Sequence, residues 1–168
     1  MKTLIKLLNS EKATEEEAAG YAIRTAARPV VYDNDGNVAL MNVSKYGYHK
    51  LPGGGIEEGE DELTALRGEC REKIGCEIEV FGEVGQIVEY RKMFKIKQIS
   101  FCYLAKVAGE KGTPSFTQGE IDIGFRVKWL PPEQALQLLS SDRPQDEEGK
   151  LYIVPRDKIL LEEALKIT

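Results

Sequence analysis

Apolar and polar positions in the first third of the chain predict a β-hairpin followed by a short strand. Residues 21–43 form two runs rich in Val, Ile, Tyr and Thr on either side of the polar stretch 33–37. The alternating oxygens of that stretch also suggest a calcium loop, but its glycine stands at the fourth place and no Glu stands at the twelfth. A turn is therefore the favoured interpretation, and residues 46–51 predict a short strand after it.

The second half of the chain is predicted to contain three more strands and two helices. Residues 77–90 and 93–107 are long β-prone runs joined by a charged turn, and residues 125–130 predict a further strand. Residues 131–140 open with prolines that suit the start of a helix, and residues 154–167 predict a C-terminal amphipathic helix.

The best-marked helix is predicted over residues 61–74. Asp61 is a suitable N-cap, and Gly75 before an apolar residue has the form of a left-handed C-cap. One stripe of this helix is apolar and is expected to face the core, and it consists of Leu63, Leu66, Cys70 and Ile74.

The two ends of the chain are expected to extend a single domain that spans residues 1–168. Residues 1–20 form an N-terminal extension in which the segment 3–8 fits a strand or a helix, and the stretch 14–18 fits a first helical turn. Residues 141–168 supply a C-terminal loop and helix.

Charge and cysteine content limit the partners and the compartment. The formal charge is 23 − 28 = −5, so no basic field favours long nucleic acid, and a small anion needs a local binding device. The three cysteines follow no metal or redox spacing, and no apolar run approaches the roughly 20 residues that span a bilayer. The sequence therefore predicts a reduced, cytoplasmic protein that does not bind a membrane.

Acidic side chains on the predicted helix suit a divalent cation. Glu69 and Glu72 are three residues apart, Glu60 lies just upstream, and Gly53–Gly55 lets the backbone approach a ligand closely. Mg²⁺ binds a few carboxylates and completes its shell with water and substrate phosphates. The helix alone is equally compatible with a solvated surface, because Glu69 and Lys73 form a favourable i,i+4 pair.

The glycine turn, Glu60, the helix and its C-cap together resemble the Nudix hydrolase signature, G-x5-E-x7-R-E-U-x-E-E-x-G-U, where U is aliphatic. Gly54 takes the first place, Glu60 the first glutamate, Glu69 and Glu72 two of the later glutamates, and Gly75 the closing glycine. The likeness extends over roughly residues 21–140. It implies an α/β/α sandwich around a mixed sheet, and a reaction in which Mg²⁺ or Mn²⁺ assists the attack of water on the diphosphate of a nucleoside diphosphate linked to another group.

The chain departs from that signature at two functional places. Gly68 stands where the family has arginine, and Lys73 stands where it has its last glutamate, which is among the family's metal ligands. Cys70 and Cys76 fill aliphatic places and are compatible with packing. The change of charge at Lys73 is expected to weaken the binding of a divalent ion. Alternatively, the Lys73 ammonium replaces one metal by pairing with a phosphate.

A base that orients the attacking water is expected in the loop 109–124. Among Glu110, Glu120 and Asp122, Glu120 is favoured because it follows a loop glycine and precedes a strand. Tyr48 is a candidate for stacking on the substrate, as are Tyr46 and Tyr90, although each suits a sheet equally well. His49 is more consistent with an ordinary strand residue than with a substrate contact.

These features lead to two hypotheses of different class. The first is a metal-dependent Nudix hydrolase, and the second is a nucleotide-binding or regulatory module in which Gly68 and Lys73 have impaired catalysis. A homodimer is an open expectation, and the leaving group is not defined by the signature. The predicted sites are catalytic Glu69 and Glu120; substrate-binding Gly54, Gly55 and Tyr48; and metal-binding Gly53, Glu60, Glu69 and Glu72.

Overall fold

The computed structural model describes residues 4–168, which form a mixed eight-stranded sheet. Six strands follow the order β1-β6-β7-β2-β3-β4, while β5 pairs with β2 and β8 pairs with β3. The strands are β1 (Leu4–Leu8), β2 (Ala22–Tyr32), β3 (Val38–Val43), β4 (Tyr48–Lys50), β5 (Gly54–Gly55), β6 (Glu77–Arg91), β7 (Ile96–Ala108) and β8 (Phe125–Leu130).

The centre of the sheet is a parallel pair that brings distant parts of the chain together. β2 runs beside β7 from Ala22 opposite Ile96 to Tyr32 opposite Lys106. β7 also forms a long antiparallel hairpin with β6. Val30 and Val31 on β2 are fully buried, which shows that both faces of the sheet are covered at this strand.

Helices cover the two faces of the sheet, as the predicted α/β/α sandwich requires. The helices are α1 (Glu15–Ala19), α2 (Glu62–Ile74), α3 (Gln118–Asp122), α4 (Pro132–Ser141) and α5 (Val154–Ile167). One core cluster joins Leu139 of α4 and Leu160 of α5 to the sheet, and the other joins Leu66 and Cys70 of α2 to the opposite face. The predicted fold class is confirmed.

Both predicted caps of α2 are present. The Asp61 carboxylate accepts a hydrogen bond from the Thr64 amide at 2.7 Å, and Gly75 ends the helix at φ 67°. Most of the predicted apolar stripe is buried. Leu66, Cys70 and Ile74 lie in the core, and Leu63 is partly exposed and packs against it.

The polar stretch at 33–37 is a turn, as predicted. The Asp33 carboxylate accepts hydrogen bonds from the amides of Asp35 and Asn37, and its second oxygen pairs with Lys111 at 2.7 Å. Tyr32 and Val38 pair antiparallel on either side of it, which confirms the hairpin.

The structure resolves the ambiguity at the N-terminus and adds one helix to a predicted loop. β1 pairs in parallel with β6 from Leu4 onwards, and Thr14 caps α1. Residues 1–3, where the predicted segment 3–8 begins, lie outside the described part of the chain. The loop 109–124 contains α3, which Thr117 and Glu120 start with a capping box. Within residues 4–168, no helix is both long and apolar enough to cross a bilayer.

Candidate functional site

Three consecutive glycines bring the backbone of the turn against the acidic helix. Gly53 has φ 128°, and a Cβ there would collide with the carbonyl of Ala27. A Cβ on Gly54 would lie 2.6 Å from Oε1 of Glu69. The absence of a side chain at Gly54 therefore allows the Glu69 carboxylate to lie directly beneath the turn.

Lys73 lies between the two glutamates that were predicted to act in catalysis. Its ammonium donates a hydrogen bond to Oε2 of Glu120 and stands 3.8 Å from Oε2 of Glu69. All three side chains are largely buried, with exposed fractions of 11% for Lys73, 17% for Glu69 and 16% for Glu120. The other Glu120 oxygen accepts the Thr117 amide at 2.9 Å, so the capping box of α3 fixes the position of Glu120.

The two glutamates have opposite pKa shifts. Burial raises the pKa of Glu69, and the charge of Lys73 only partly offsets it. Burial also acts to raise the pKa of Glu120, but the hydrogen bonds from Lys73 and from the Thr117 backbone outweigh it and lower that pKa. Oε2 of Glu69 is buried and has no hydrogen-bond partner among the described residues. Glu69 is therefore the better proton acceptor of the two.

Glu69 and Lys73 line a cleft of about 280 Å³ whose walls are mainly basic. Six basic side chains and three carboxylates line it, supplied by β2, β4, β6, α2, α3, α5 and the segment before α5. They are Arg24, Arg28, Lys50, Lys73, Arg91, Arg156, Glu69, Glu120 and Glu148. The cleft therefore favours an anionic ligand, although the whole chain has a net charge of −5.

Five predicted site residues line this cleft. They are Gly53, Gly54, Gly55, Glu69 and Glu120.

The other predicted site residues, Glu60, Glu72 and Tyr48, lie outside the cleft. Glu60 accepts the Glu57 amide at 3.0 Å and lines a separate groove on the other side of the turn. Glu72 is exposed, because a three-residue step turns it about 60° around the helix from Glu69, away from the cleft. Tyr48 is buried in a small apolar cluster with Ile153.

His49, interpreted as a strand residue, lies in β4 and is not among the residues that line the cleft. Its amide donates to the Asp142 carboxylate at 2.6 Å, and its ring lies 3.1 Å from the same carboxylate.

The basic floor of the cleft was missed in the sequence. Arg28 is 4% exposed and stands between small and apolar neighbours in β2, which is a signal, since arginine is rarely buried without a partner. Arg156 is fully buried in α5, but in the sequence it is one charge among several on an amphipathic helix. Its role depends on tertiary contacts that no local pattern contains.

The residues of the cleft do not fit a divalent metal between Glu69 and Glu120. Within residues 4–168, no group of three His, Cys, Asp or Glu side chains is arranged to hold a metal. Lys73 already pairs with both carboxylates. A divalent ion about 4 Å from its ammonium would be repelled by about 8 kcal/mol at an effective dielectric of about 20.

Comparison with solved structures finds the same fold in several hydrolases. A NUDIX hydrolase from Nitrosomonas europaea is 13% identical with a TM-score of 0.63, over 85% of this chain and 88% of that chain. A MutT NUDIX hydrolase from Burkholderia pseudomallei is 17% identical with a TM-score of 0.59, over 84% and 97%. The Ap4A hydrolase of C. elegans is 16% identical with a TM-score of 0.58, over 86% and 98%. At these identities the likeness shows the fold.

The sequence itself identifies the family. No curated protein sequence matches the chain significantly. The family model described as the NUDIX domain matches residues 22–152, which include the glycine turn, α2 and the α3 loop. The chain belongs to the NUDIX domain family, and its fold is that of Nudix hydrolases.

Proposed function

We propose that this protein hydrolyses the diphosphate of a nucleoside diphosphate linked to another group. The observation that carries the proposal is the position of Glu69, whose buried Oε2 accepts no hydrogen bond within the described residues and whose carboxylate lies beneath the glycine turn in a basic cleft. An anion drawn into this cleft meets a carboxylate that can accept a proton from water. The family supports hydrolysis, and the basic walls support an anionic substrate such as one that carries a diphosphate.

The side chains of the cleft divide the work of the reaction. Water attacks a phosphorus atom, Glu69 accepts its proton, and the bridging oxygen leaves with the electrons of the broken P–O bond. Because burial raises the pKa of Glu69, this carboxylate is a stronger base than an exposed one. Guanidinium groups on the walls stabilise the charge that develops on the phosphoryl oxygens.

Glu120 acts through Lys73 in this proposal. The lowered pKa of Glu120 keeps it ionised, so it holds the ammonium in place beside Glu69. The sequence favoured Glu120 as the base that orients water, and that role is here assigned to Glu69. Mg²⁺ or Mn²⁺ supplies charge neutralisation in the family and is predicted by the sequence, but the site between Glu69 and Glu120 does not fit such an ion. The cytoplasmic location and the homodimer stay predictions.

A binding module without turnover is the second candidate, and one observation favours it. Lys73 pairs with both carboxylates that the sequence predicts to be catalytic, through its hydrogen bond to Glu120 and its 3.8 Å approach to Glu69. A protein with this arrangement binds the diphosphate and releases it unchanged.

Turnover of a panel of nucleoside diphosphate derivatives separates the two candidates. The purified protein is assayed by chromatography of products, with Mg²⁺, with Mn²⁺ and with EDTA. We expect Glu69→Gln to lower turnover by about 10²- to 10⁴-fold with little change in affinity, because it removes the base. Glu72→Gln is the matched control on the exposed side of the same helix, and it should retain wild-type turnover.

Two results contradict the hydrolase. One is a wild-type protein that binds members of the panel but converts none of them under any metal condition. The other is Glu69→Gln with the same turnover as wild type.

A further inference from the structure

Two buried arginines at the floor of the cleft have donors without partners. Arg28 on β2 is 4% exposed, and Arg156 on α5 is fully buried. Nε and Nη1 of Arg28 and Nη2 of Arg156 are buried and bond to nothing within residues 4–168. Both side chains line the cleft beside Lys50 at the end of β4. Buried N–H donors that lack acceptors are costly, so these donors favour a ligand whose oxygens accept hydrogen bonds from them.

The buried charges around the floor do not balance. Glu89 and Asp157 are the buried carboxylates there, and they pair with Arg156 at 3.2 Å and 2.7 Å. Glu89 also pairs with Arg91 at 3.2 Å. Arg91 pairs in addition with the partly exposed Glu148 at 3.3 Å. Arg28 and the half-buried Lys50 bring the cations to four against three carboxylates, and neither of these two forms an ion pair within the described chain.

The pKa values show the same excess of positive charge. Burial, followed by the charge of Arg156, lowers the pKa of Arg28 to about 9. Burial, followed by the charges of Arg28 and Arg156, lowers the pKa of Lys50 to about 7. A cation that is held in this way is destabilised until an anion compensates it.

The shape of the cleft restricts what that anion is. Its volume of about 280 Å³ is at the lower limit for small-molecule pockets, which are about 300–1,000 Å³, so it suits a phosphate or diphosphate group and leaves the rest of a nucleotide outside. A Cβ at Gly53 would stand 3.1 Å from Cδ of Arg28, so the glycine keeps the turn close above this guanidinium. Guanidinium forks are well matched to phosphate oxygens.

We propose that Arg28, Lys50 and Arg156 form an anion-binding floor that holds a phosphate group of the substrate without a divalent metal. The inference rests on the proposed function for the chemical class of its ligand. The floor supplies the charge that a metal supplies elsewhere in the family, and Lys73 extends this positive surface towards Glu69.

Calorimetric titration of the full chain with inorganic pyrophosphate in EDTA at pH 6.5 tests the floor. We expect wild type to bind, and Arg28→Met to bind about 10- to 100-fold more weakly, because hydrogen bonds to a charged group are lost. Arg126→Met makes the same change at an exposed site on β8 and should bind as wild type does. Arg28→Lys should retain part of the affinity.

A stability measurement on the same variants separates a binding role from a structural one. Without ligand, Arg28→Met should melt at the same temperature as wild type or higher, because an uncompensated buried charge has been removed. Pyrophosphate should raise the melting temperature of wild type, and the same concentration should raise that of Arg28→Met by less. If Arg28→Met does not fold, Lys50→Met carries the same expectations.

The proposal is overturned if wild type fails to bind pyrophosphate in EDTA, or if Arg28→Met and Lys50→Met both bind it as tightly as wild type. Turnover measured on the same samples keeps the two proposals apart. Binding that depends on Arg28 in a protein without turnover upholds the floor and contradicts the hydrolase. Turnover by wild type, together with unaltered pyrophosphate binding in Arg28→Met and Lys50→Met, upholds the hydrolase and contradicts the floor.

Discussion

At the scale of single residues, the charge of Lys73 determines which ions the cleft accepts. Lys73→Glu would place a third carboxylate beside Glu69 and Glu120, and together these three suit Mg²⁺ or Mn²⁺. We expect Mn²⁺, at a concentration of about 100 times its dissociation constant, to raise the melting temperature of Lys73→Glu by about 5–10 °C. Wild type should show no increment, because its ammonium repels the ion.

Lys73→Gln is the control for that experiment, since it removes the ammonium without adding a carboxylate. Thermal melting with and without Mn²⁺ is the measurement. An equal Mn²⁺ increment in wild type and Lys73→Glu would show that Lys73 moves aside for the metal.

The pH dependence of anion binding follows from Lys50. Its pKa is lowered to about 7, and the charged groups that face it are Arg28, Arg156, Asp157 and Lys73. Lys50 is charged below that pH, so affinity for pyrophosphate should rise as pH falls from 8.5 to 6. Calorimetry across this range measures it, and Lys50→Met should have a flatter profile. A wild-type profile as flat as that of Lys50→Met would contradict this role.

The stability of the ligand-free protein should have the opposite pH dependence. The pKa of Lys50 in the folded protein is below its unfolded value of about 10.4. The folded state therefore binds fewer protons at this group, and the contribution of Lys50 is most favourable above pH 10.4 and is lost as pH falls through about 7. Denaturant unfolding at pH 7 and pH 9 gives the free energy of unfolding of each protein. Between pH 9 and pH 7 we expect wild type to lose more of it than Lys50→Met does.

At the scale of elements, Gly68 weakens α2 without serving a close contact. A Cβ at this position meets no atom within 4 Å, and its φ is not in the left-handed region. Gly68→Ala should raise the free energy of unfolding by about 1 kcal/mol, measured by denaturant titration. Gly54→Ala is the contrasting variant, since its Cβ would press on the Glu69 carboxylate and should disrupt the site. A loss of stability in Gly68→Ala would contradict this interpretation.

Local patterns predicted the elements that local forces define. The Asp61 and Gly75 caps, the apolar stripe of α2 and the turn after Asp33 depend on neighbours a few residues away, so spacing was enough. The polar side of α2 was predicted less well. Glu69 and Lys73 lie next to the buried stripe and face the turn, Ala65 is buried, and Glu72 points outward.

At the scale of the whole molecule, the cleft is a product of topology. The parallel pairing of β2 with β7 and the packing of α5 on the sheet bring Arg28 and Arg156 beneath the turn, although 128 positions separate them. Asp157 fastens α5 to the end of β4 by accepting the Leu51 amide at 2.9 Å. No periodicity contains such contacts, so the signature residues were predicted and the floor was not.

One structure determination tests the account most directly. Crystals of the protein grown with pyrophosphate and Mn²⁺ would be measured for anomalous scattering, which locates the metal independently of the phosphates. The account predicts phosphate oxygens within hydrogen-bond distance of Arg28 and Arg156, with Lys73 still between Glu69 and Glu120 and no anomalous peak there. An anomalous peak between those two glutamates, with Lys73 displaced and no phosphate on the arginines, would contradict it.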